Sequence, residues 1–219
     1  MKNKNESETS IIGGSEGESS IFIADKPKNP KEQRLGMRIQ SAIYKYKYKR
    51  AEQTIVANAH TLAEVVQYAM LHYETVEVES TKKNFIEQRN NLKENLILQH
   101  KPEILGEMEN IPVPDTSNEA AFREYINKIE ARSKMIAKMP DDVIPMDYHL
   151  YEIRTRDVLL EMEIDYIWDV FGVSFIGTDK TIKQLRKISK DLYHYYGVNE
   201  EDIRNKTERY TALVVALSL

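Results

Sequence analysis

Cysteine is absent from this 219-residue chain, which excludes disulfide bridges, thiolate metal ligands and cysteine nucleophiles together. Long apolar runs are absent as well. The longest uncharged apolar stretch, residues 212–217, is far shorter than the ~20 residues that a membrane-spanning helix needs. The first ten residues are polar, and the apolar segment of a signal peptide does not follow them. We therefore expect a soluble protein of the cytoplasm.

A strong overall charge is also missing. The formal net charge of -4 provides no general attraction to nucleic acid or to an anionic membrane. Hydrophobic residues make up 41% of the chain and charged residues 30%. This composition is sufficient for the core of one sizeable domain or of two small ones.

The sequence carries no catalytic signature. It has no His-Glu-x-x-His pair and no Gly-x-Ser-x-Gly elbow, and the glycines at 13–17 are not followed by the Gly-Lys-Ser/Thr of a phosphate-binding loop. We expect no catalytic residue, no metal and no cofactor, and hence a protein that is not an enzyme. The five histidines, which we interpret as surface or packing residues, are His60, His72, His100, His149 and His194.

One carboxylate pattern offers an alternative. Glu161, Asp165 and Asp169 follow one another at intervals of four, so a helix would place them on one face near Trp168. Such a face could bind a divalent ion or share a raised pKa. We favour a solvated acidic face opposite a core that contains Trp168 and Ile164, because no second element is identifiable that would supply further ligands.

An apolar, glycine-punctuated island at residues 11–24 lies within a charged tail, residues 1–30, that we predict to be disordered. Apolar side chains in a disordered tail gain nothing unless something covers them. We interpret the island as a recognition segment, in which residues 20–24 add as a strand to a partner's sheet edge or fold back onto their own domain. Plain disorder is the alternative. The predicted partner-binding residues are Ile11, Ile12, Gly13, Gly14, Gly17, Ile21, Phe22 and Ile23.

The island resembles the glycine-rich stretch of the beta subunits of sodium-translocating carboxylic acid decarboxylases, which runs roughly I-I-G-G-x-D-G-P-T-x-I-F. The chain departs from this pattern at Glu16, Glu18 and Ser19, where the family has Asp, Pro and Thr. The resemblance implies a membrane protein that passes sodium, which requires several apolar spans. Because this chain has none, we expect no sodium transport and keep an accessory protein related to such a decarboxylase as an alternative.

A basic, tyrosine-rich segment follows the tail. Seven basic residues between 31 and 50 stand against the single Glu32. The alternation of Tyr and Lys at 44–49 suits a strand, but the flanking sequence favours a helix. Lysines that neutralise phosphates and tyrosines that stack on bases predict single-stranded nucleic-acid binding. The alternative is a helix whose basic face docks on the protein's own acidic surface, with the tyrosines, Ile39, Ile43 and Ile55 inward. The candidate nucleic-acid residues are Arg38, Tyr44, Lys45, Tyr46, Lys47, Tyr48, Lys49 and Arg50.

Helix signals dominate the remainder. Capping-box spacings occur at Thr61 with Glu64 and at Thr116 with Glu119, and Asn199 with Asp202 marks the start of the last helix. The other predicted elements are a helix over 81–99, a helix that ends before Pro140, a strand or helix start at 148–154, a core segment at 164–171 and a helix from Asp179 to Tyr196 that Gly197 terminates.

These patterns predict a mainly α fold. We expect an irregular multi-helix domain over 31–219, with a short β element near 148–163 and the disordered tail in front. Its parts are the basic segment 31–60, helices over 61–139 and a helical C-terminal part 148–219. The function we expect is that of a cytosolic interaction or regulatory protein that uses its tail to bind a protein partner. A homodimer through the apolar C-terminus is an alternative to packing of that segment within the chain.

Overall fold

The computed structural model describes residues 7–11, 30–115, 118–155, 159–177 and 179–218, with the backbone alone at 7–11, 30–40, 176–177 and 179–180. Its α-helices are α1 (Pro30–Glu52), α2 (Leu62–His72), α3 (Lys83–His100), α4 (Glu119–Ala137), α5 (Asp179–Tyr196), α6 (Glu200–Asn205) and α7 (Glu208–Ser218). A 3-10 helix covers Pro102–Met108. The strands are β1 (Ser7–Ile11), β2 (Glu74–Glu77), β3 (Tyr148–Arg154), β4 (Leu159–Asp165) and β5 (Val170–Gly177).

Helices dominate, as predicted, but the β structure is larger than the predicted short element near 148–163. The five strands form one sheet in the order β1-β5-β4-β3-β2. Strand β1 pairs antiparallel with β5, with Ser7 opposite Gly177 and Ile11 opposite Val173. Strand β1 lies within the tail predicted over 1–30, and the rest of that tail before Pro30 lies outside the described residues.

Strand β4 overlaps the β element predicted near 148–163, and burial on both of its faces explains why the sequence did not delimit it as a separate strand. Five of its seven residues, including Glu163 and Asp165, are buried. Its sequence therefore lacks the alternation of apolar and polar residues that marks a strand with one buried and one exposed face. A run of this kind cannot be assigned to strand or helix by periodicity alone. The prediction of a core at 164–171 holds for Ile164, Val170 and Phe171, whereas Tyr166 and Ile167 are exposed.

The chain divides into two compact units. The first comprises the described parts of 1–77, 149–164 and 169–219, and the second comprises those of 78–148 and 165–168. In chain order the second unit is thus inserted between β2 and β3. The sequence analysis treated 31–219 as one domain.

The core of the first unit lies between one face of the sheet and the helices. Its sheet side includes Met162 and Val173, and its helical side includes Leu192 on α5 and Val214 on α7. Burying each such side chain contributes roughly 1.5–3 kcal/mol. Of the two alternatives for the apolar C-terminus, a dimer surface or packing within the chain, the structure shows packing within the chain, because residues 212–216 are buried in this core.

Helix capping follows the sequence in most places. Thr61 with Glu64 forms a capping box at α2, and Asn199 with Asp202 forms one at α6. The box predicted at Thr116 is wrong, because Asn118 caps α4 by accepting from the Ala121 N–H, and Thr116 lies outside the described residues.

The predicted last helix is in fact two helices. Lys206 adopts the left-handed conformation, with φ 52° and ψ 47°, and separates α6 from α7.

Polar contacts hold α3 to α4 and to the residues that follow it in the second unit. The Glu94 carboxylate accepts from Arg132 Nε at 2.8 Å and from Ser133 Oγ at 2.6 Å. Lys93, only 1% exposed, donates to the Met139 carbonyl at 2.6 Å, just beyond the end of α4. The buried ammonium group is thereby compensated by a hydrogen bond.

Candidate nucleic-acid interface

Helix α1 is anchored at its C-terminal end. Ala51 is buried, and Tyr48 packs against the core. The Glu52 carboxylate accepts from the Tyr210 hydroxyl at 3.2 Å and from Lys206 Nζ at 3.3 Å. These contacts with α7 and with Lys206, the C-cap of α6, fix the end of α1. The tyrosine segment 44–49 is helical, which excludes the alternative of a strand.

The part of α1 that precedes this anchor is exposed. Tyr44 is 38% exposed and Tyr46 is 67% exposed, and the side chains of all four predicted cations from Lys45 to Arg50 are also exposed. Tyr44, Tyr48 and the lysines beside them border an open surface concavity of about 660 Å³. Aromatic faces and positive charges therefore lie together on one anchored helix. The side chain of Arg38 lies outside the described residues.

The predicted alternative, inward docking of this segment, is correct only in part. Tyr48 and Ile55 pack against the core, but Ile43 is 52% exposed. Within the described chain, Lys45, Lys49 and Arg50 form no ion pair. The side chain of Ile39 is not among those described. Lys45, Lys49 and Arg50 are thus not neutralised by a carboxylate of the described protein.

The exposed cations of α3 and α4 are arranged differently from those of α1. On α3 and α4, basic side chains pair with a carboxylate one turn away. These pairs are Lys83–Glu87, Arg123–Glu119, Lys128–Glu124 and Lys134–Glu130. The unpaired cations of α1 therefore depart from the pattern of this chain.

Helix α5 carries a second set of unpaired cations, which the sequence analysis missed. The α5 row consists of Lys183, Arg186, Lys187 and Lys190, which lie on the side opposite the buried Leu185 and Leu192. Across the described residues, none of the four pairs with a carboxylate. The available signal was that residues 180–190 contain five basic residues and no acidic one.

Lys190 joins the α5 row to α7. Its Nζ donates to the Leu217 carbonyl at 3.1 Å, near the end of α7. Burial lowers the pKa of Lys190, and the positive charges of Lys47 on α1 and of Arg186 lower it further. The charges of Lys47 and Lys190 therefore interact within the first unit.

Of the predicted partner-binding residues, only Ile11 belongs to the part of the chain that the structure describes. Ile11 lies at the end of β1, where its backbone pairs with the protein's own β5. The chain immediately before the island therefore adds to a sheet edge in cis. The other predicted residues, Ile12, Gly13, Gly14, Gly17, Ile21, Phe22 and Ile23, lie outside the described residues, as does the strand suggested at 20–24.

The acidic triplet does not lie on a helix. Glu161 and Asp165 belong to β4, and Asp169 lies in the turn that follows, with a positive φ of 50°. Asp165 is fully buried, and its Oδ1 accepts from the backbone N–H groups of Ile167 and Trp168, each at 3.0 Å. Its role is to close this turn. No group of three His, Asp or Glu side chains in the described chain could hold a metal ion.

Histidine rings take part in packing contacts. His60 stacks on Tyr195 at 4.1 Å between ring centroids, and Tyr195 stacks in turn on Tyr68 at 4.0 Å. Tyr68 also donates to Asp191 Oδ2 at 2.9 Å. In the second unit, His100 stacks on Trp168 at 4.4 Å. These rings join α2 to α5, and the end of α3 to the turn after β4.

Comparison with protein-family models, curated proteins and solved structures finds no match to this chain. The resemblance of residues 11–22 to decarboxylase beta subunits stays a prediction. Over the described residues, none of the helices combines the length and the apolar character needed to cross a bilayer.

Proposed function

We propose that the protein binds single-stranded nucleic acid through α1. The observation that carries the proposal is the set of unpaired cations, Lys45, Lys49 and Arg50, on the same anchored helix as the exposed rings of Tyr44 and Tyr46. A helix that only packed within the protein would gain nothing from exposing both kinds of side chain.

The chemistry of such a surface is known in outline. Cations that neutralise phosphates release counterions, which provides affinity without sequence preference. Tyrosine faces stack on unpaired bases, and each stacked base contributes roughly 1–3 kcal/mol. Because bases in a duplex are already stacked on each other, this surface is expected to prefer single strands. Glu52 borders this surface, and its carboxylate is paired with Lys206.

Fluorescence anisotropy with a labelled oligothymidylate, measured over a series of salt concentrations, tests the proposal. We expect log K to fall linearly with log salt, by about 0.7 for each phosphate contact. Replacing Lys45, Lys49 and Arg50 by Ala is expected to weaken binding at least about tenfold at low salt and to reduce the slope by about 2.

The matched control replaces Lys83, Lys128 and Lys134 by Ala. It removes the same amount of charge from helices α3 and α4, whose cations are paired. We expect the control to bind as the wild type does. Absence of binding by the wild-type chain, or equal loss in both variants, would contradict a site on α1.

Protein recognition by the N-terminal island is the weaker proposal. Its support is the apolar composition of residues 11–24, whereas the backbone of Ile11 is already paired within the chain. An affinity pull-down with the full chain and an Ile21→Ser, Phe22→Ser variant tests it. Loss of a nuclease-resistant partner in the variant would support protein recognition by the island. Identical partners for both proteins would contradict it.

A further inference from the structure

The α5 row is a basic surface that binding through α1 does not require. Its four cations recur at intervals of three and four, so they span about 10 Å along one side of the helix. Lys183 and Lys187 are exposed, and Arg186 and Lys190 are half-buried. A like-charged row of this kind destabilises a helix slightly when nothing opposes it.

The α5 row has no exposed tyrosine beside it on the same helix. Tyr193 and Tyr196 are buried, and Tyr195 stacks on both His60 and Tyr68. His194, one turn beyond Lys190, is an exposed ring of α5. The four cations of the row therefore offer charge without stacking. Charge of this kind recognises phosphates and is indifferent to bases.

Arg186 and Lys190 suit phosphate in particular. The guanidinium of Arg can donate two parallel hydrogen bonds to a phosphate. Arg186 Nε is buried and has no hydrogen-bond partner, so this group is desolvated without compensation in the free protein. Lys190 is held in place by its bond to the Leu217 carbonyl. Lys190 is therefore positioned before a ligand arrives.

We propose that the α5 row is a phosphate-binding track, which holds the backbone of the strand whose bases stack on α1. This inference rests on the function proposed above, and it adds a division of labour. Helix α1 contacts bases and phosphates, whereas α5 contacts phosphates alone. Helix α7 connects the two helices, because Lys190 of α5 donates to its Leu217 carbonyl and Glu52 of α1 accepts from its Tyr210 hydroxyl. A linear chain of phosphates without bases should therefore bind to α5.

Two probes separate these roles. Inorganic polyphosphate carries the charge without bases, and labelled oligothymidylate carries both. The α5 variant replaces Lys183 and Lys187 by Ala, because both side chains are exposed and their loss leaves the core intact. The α1 variant replaces Tyr44 and Tyr46 by Ala. A control replaces the paired Lys128 and Lys134 by Ala.

We expect the α5 variant to lose about tenfold or more in polyphosphate affinity and to reduce the oligonucleotide salt slope by about 1.4. The α1 variant should lose oligonucleotide affinity and keep polyphosphate affinity. Circular dichroism confirms that each variant is folded.

The proposed phosphate-binding track is overturned if the wild type does not bind polyphosphate. It is also overturned if the wild type and the α5 variant bind polyphosphate equally well. Oligonucleotide binding through α1 would then still stand. If no oligonucleotide binds, the proposed function fails. Polyphosphate binding that depends on α5 would then show an anion site there, but not one that serves a nucleic-acid strand, so this outcome overturns the track as well.

Discussion

Gly197 shows at the scale of one residue how the sequence constrains the fold. It ends α5 with a φ of +59°, a conformation that costs other residues roughly 1–2 kcal/mol. An added Cβ would also lie 2.6 Å from the backbone carbonyl oxygen of Asn58 and 2.3 Å from its Oδ1. Both the conformation and the close approach therefore require glycine. The first requirement was predictable from the sequence, and the second was not.

Gly197→Ala is accordingly expected to lower the free energy of unfolding by more than about 2 kcal/mol. Urea denaturation measures the change. Combining it with Asn58→Ala should not restore stability, because the Asn58 carbonyl remains in place. If the urea midpoint of Gly197→Ala equalled that of the wild type, the steric clash with Asn58 would be refuted.

Asp165 provides a prediction about pH. Burial raises the pKa of its carboxyl group, and the N–H groups of Trp168 and Ile167 oppose part of that rise. The ionised form is thus less favourable in the folded chain than in the unfolded one. This penalty is absent below the unfolded pKa of about 3.9 and grows as the pH rises through the folded pKa.

Asp165→Asn keeps the Oδ1 acceptor and removes the charge. Its stability relative to the wild type should therefore increase between about pH 4 and about pH 7. The altered hydrogen bonds of the variant change its free energy of unfolding by an amount that does not depend on pH. Thermal or urea unfolding at several pH values checks the trend, and a constant difference across this range would refute it.

At the scale of an element, α2 was the most predictable. Thr61 and Glu64 satisfy each other's backbone N–H groups, as their spacing indicates. Thr61→Ala is expected to destabilise the protein by about 1 kcal/mol, whereas Thr61→Ser should cost only a few tenths. Equal effects of the two substitutions in urea denaturation would indicate that the hydroxyl does not cap the helix.

Helix α1 illustrates a conflict between local pattern and packing. The Tyr-Lys alternation at 44–49 has the period of a strand, yet a strand would separate Tyr48 from Ala51 and Glu52. In a helix these three lie within about one turn and meet α7 together. The tertiary contacts of one end thereby decide the conformation of the whole segment.

On the scale of the whole molecule, charge is segregated. The chain carries a net charge of -4, while the exposed faces of α1 and α5 are basic. Total composition therefore predicted no attraction to nucleic acid, and only the location of the charges supports it. The long-range pairing of α1 with α7, and of α5 with the sheet, brings the two faces into one unit.

Ligand binding to the folded chain should raise its stability. Oligothymidylate at about 100 times its dissociation constant should stabilise the protein by about 2.7 kcal/mol, which corresponds to a rise of roughly 5–10 °C in Tm. The variant that lacks Lys45, Lys49 and Arg50 should show a smaller rise at the same concentration. An equal rise in both proteins would place the binding elsewhere.

The sequence by itself determined where most helices begin and end, because caps, glycines and prolines act on the backbone within a few residues. It also marked the basic tyrosine segment. Only the tertiary structure decided that residues 7–11 and 148–177 form one sheet, since strand pairing joins residues far apart in the chain. It likewise decided which cations stay unpaired and that those of α5 join those of α1, because ion pairing and exposure depend on neighbours that local sequence does not specify.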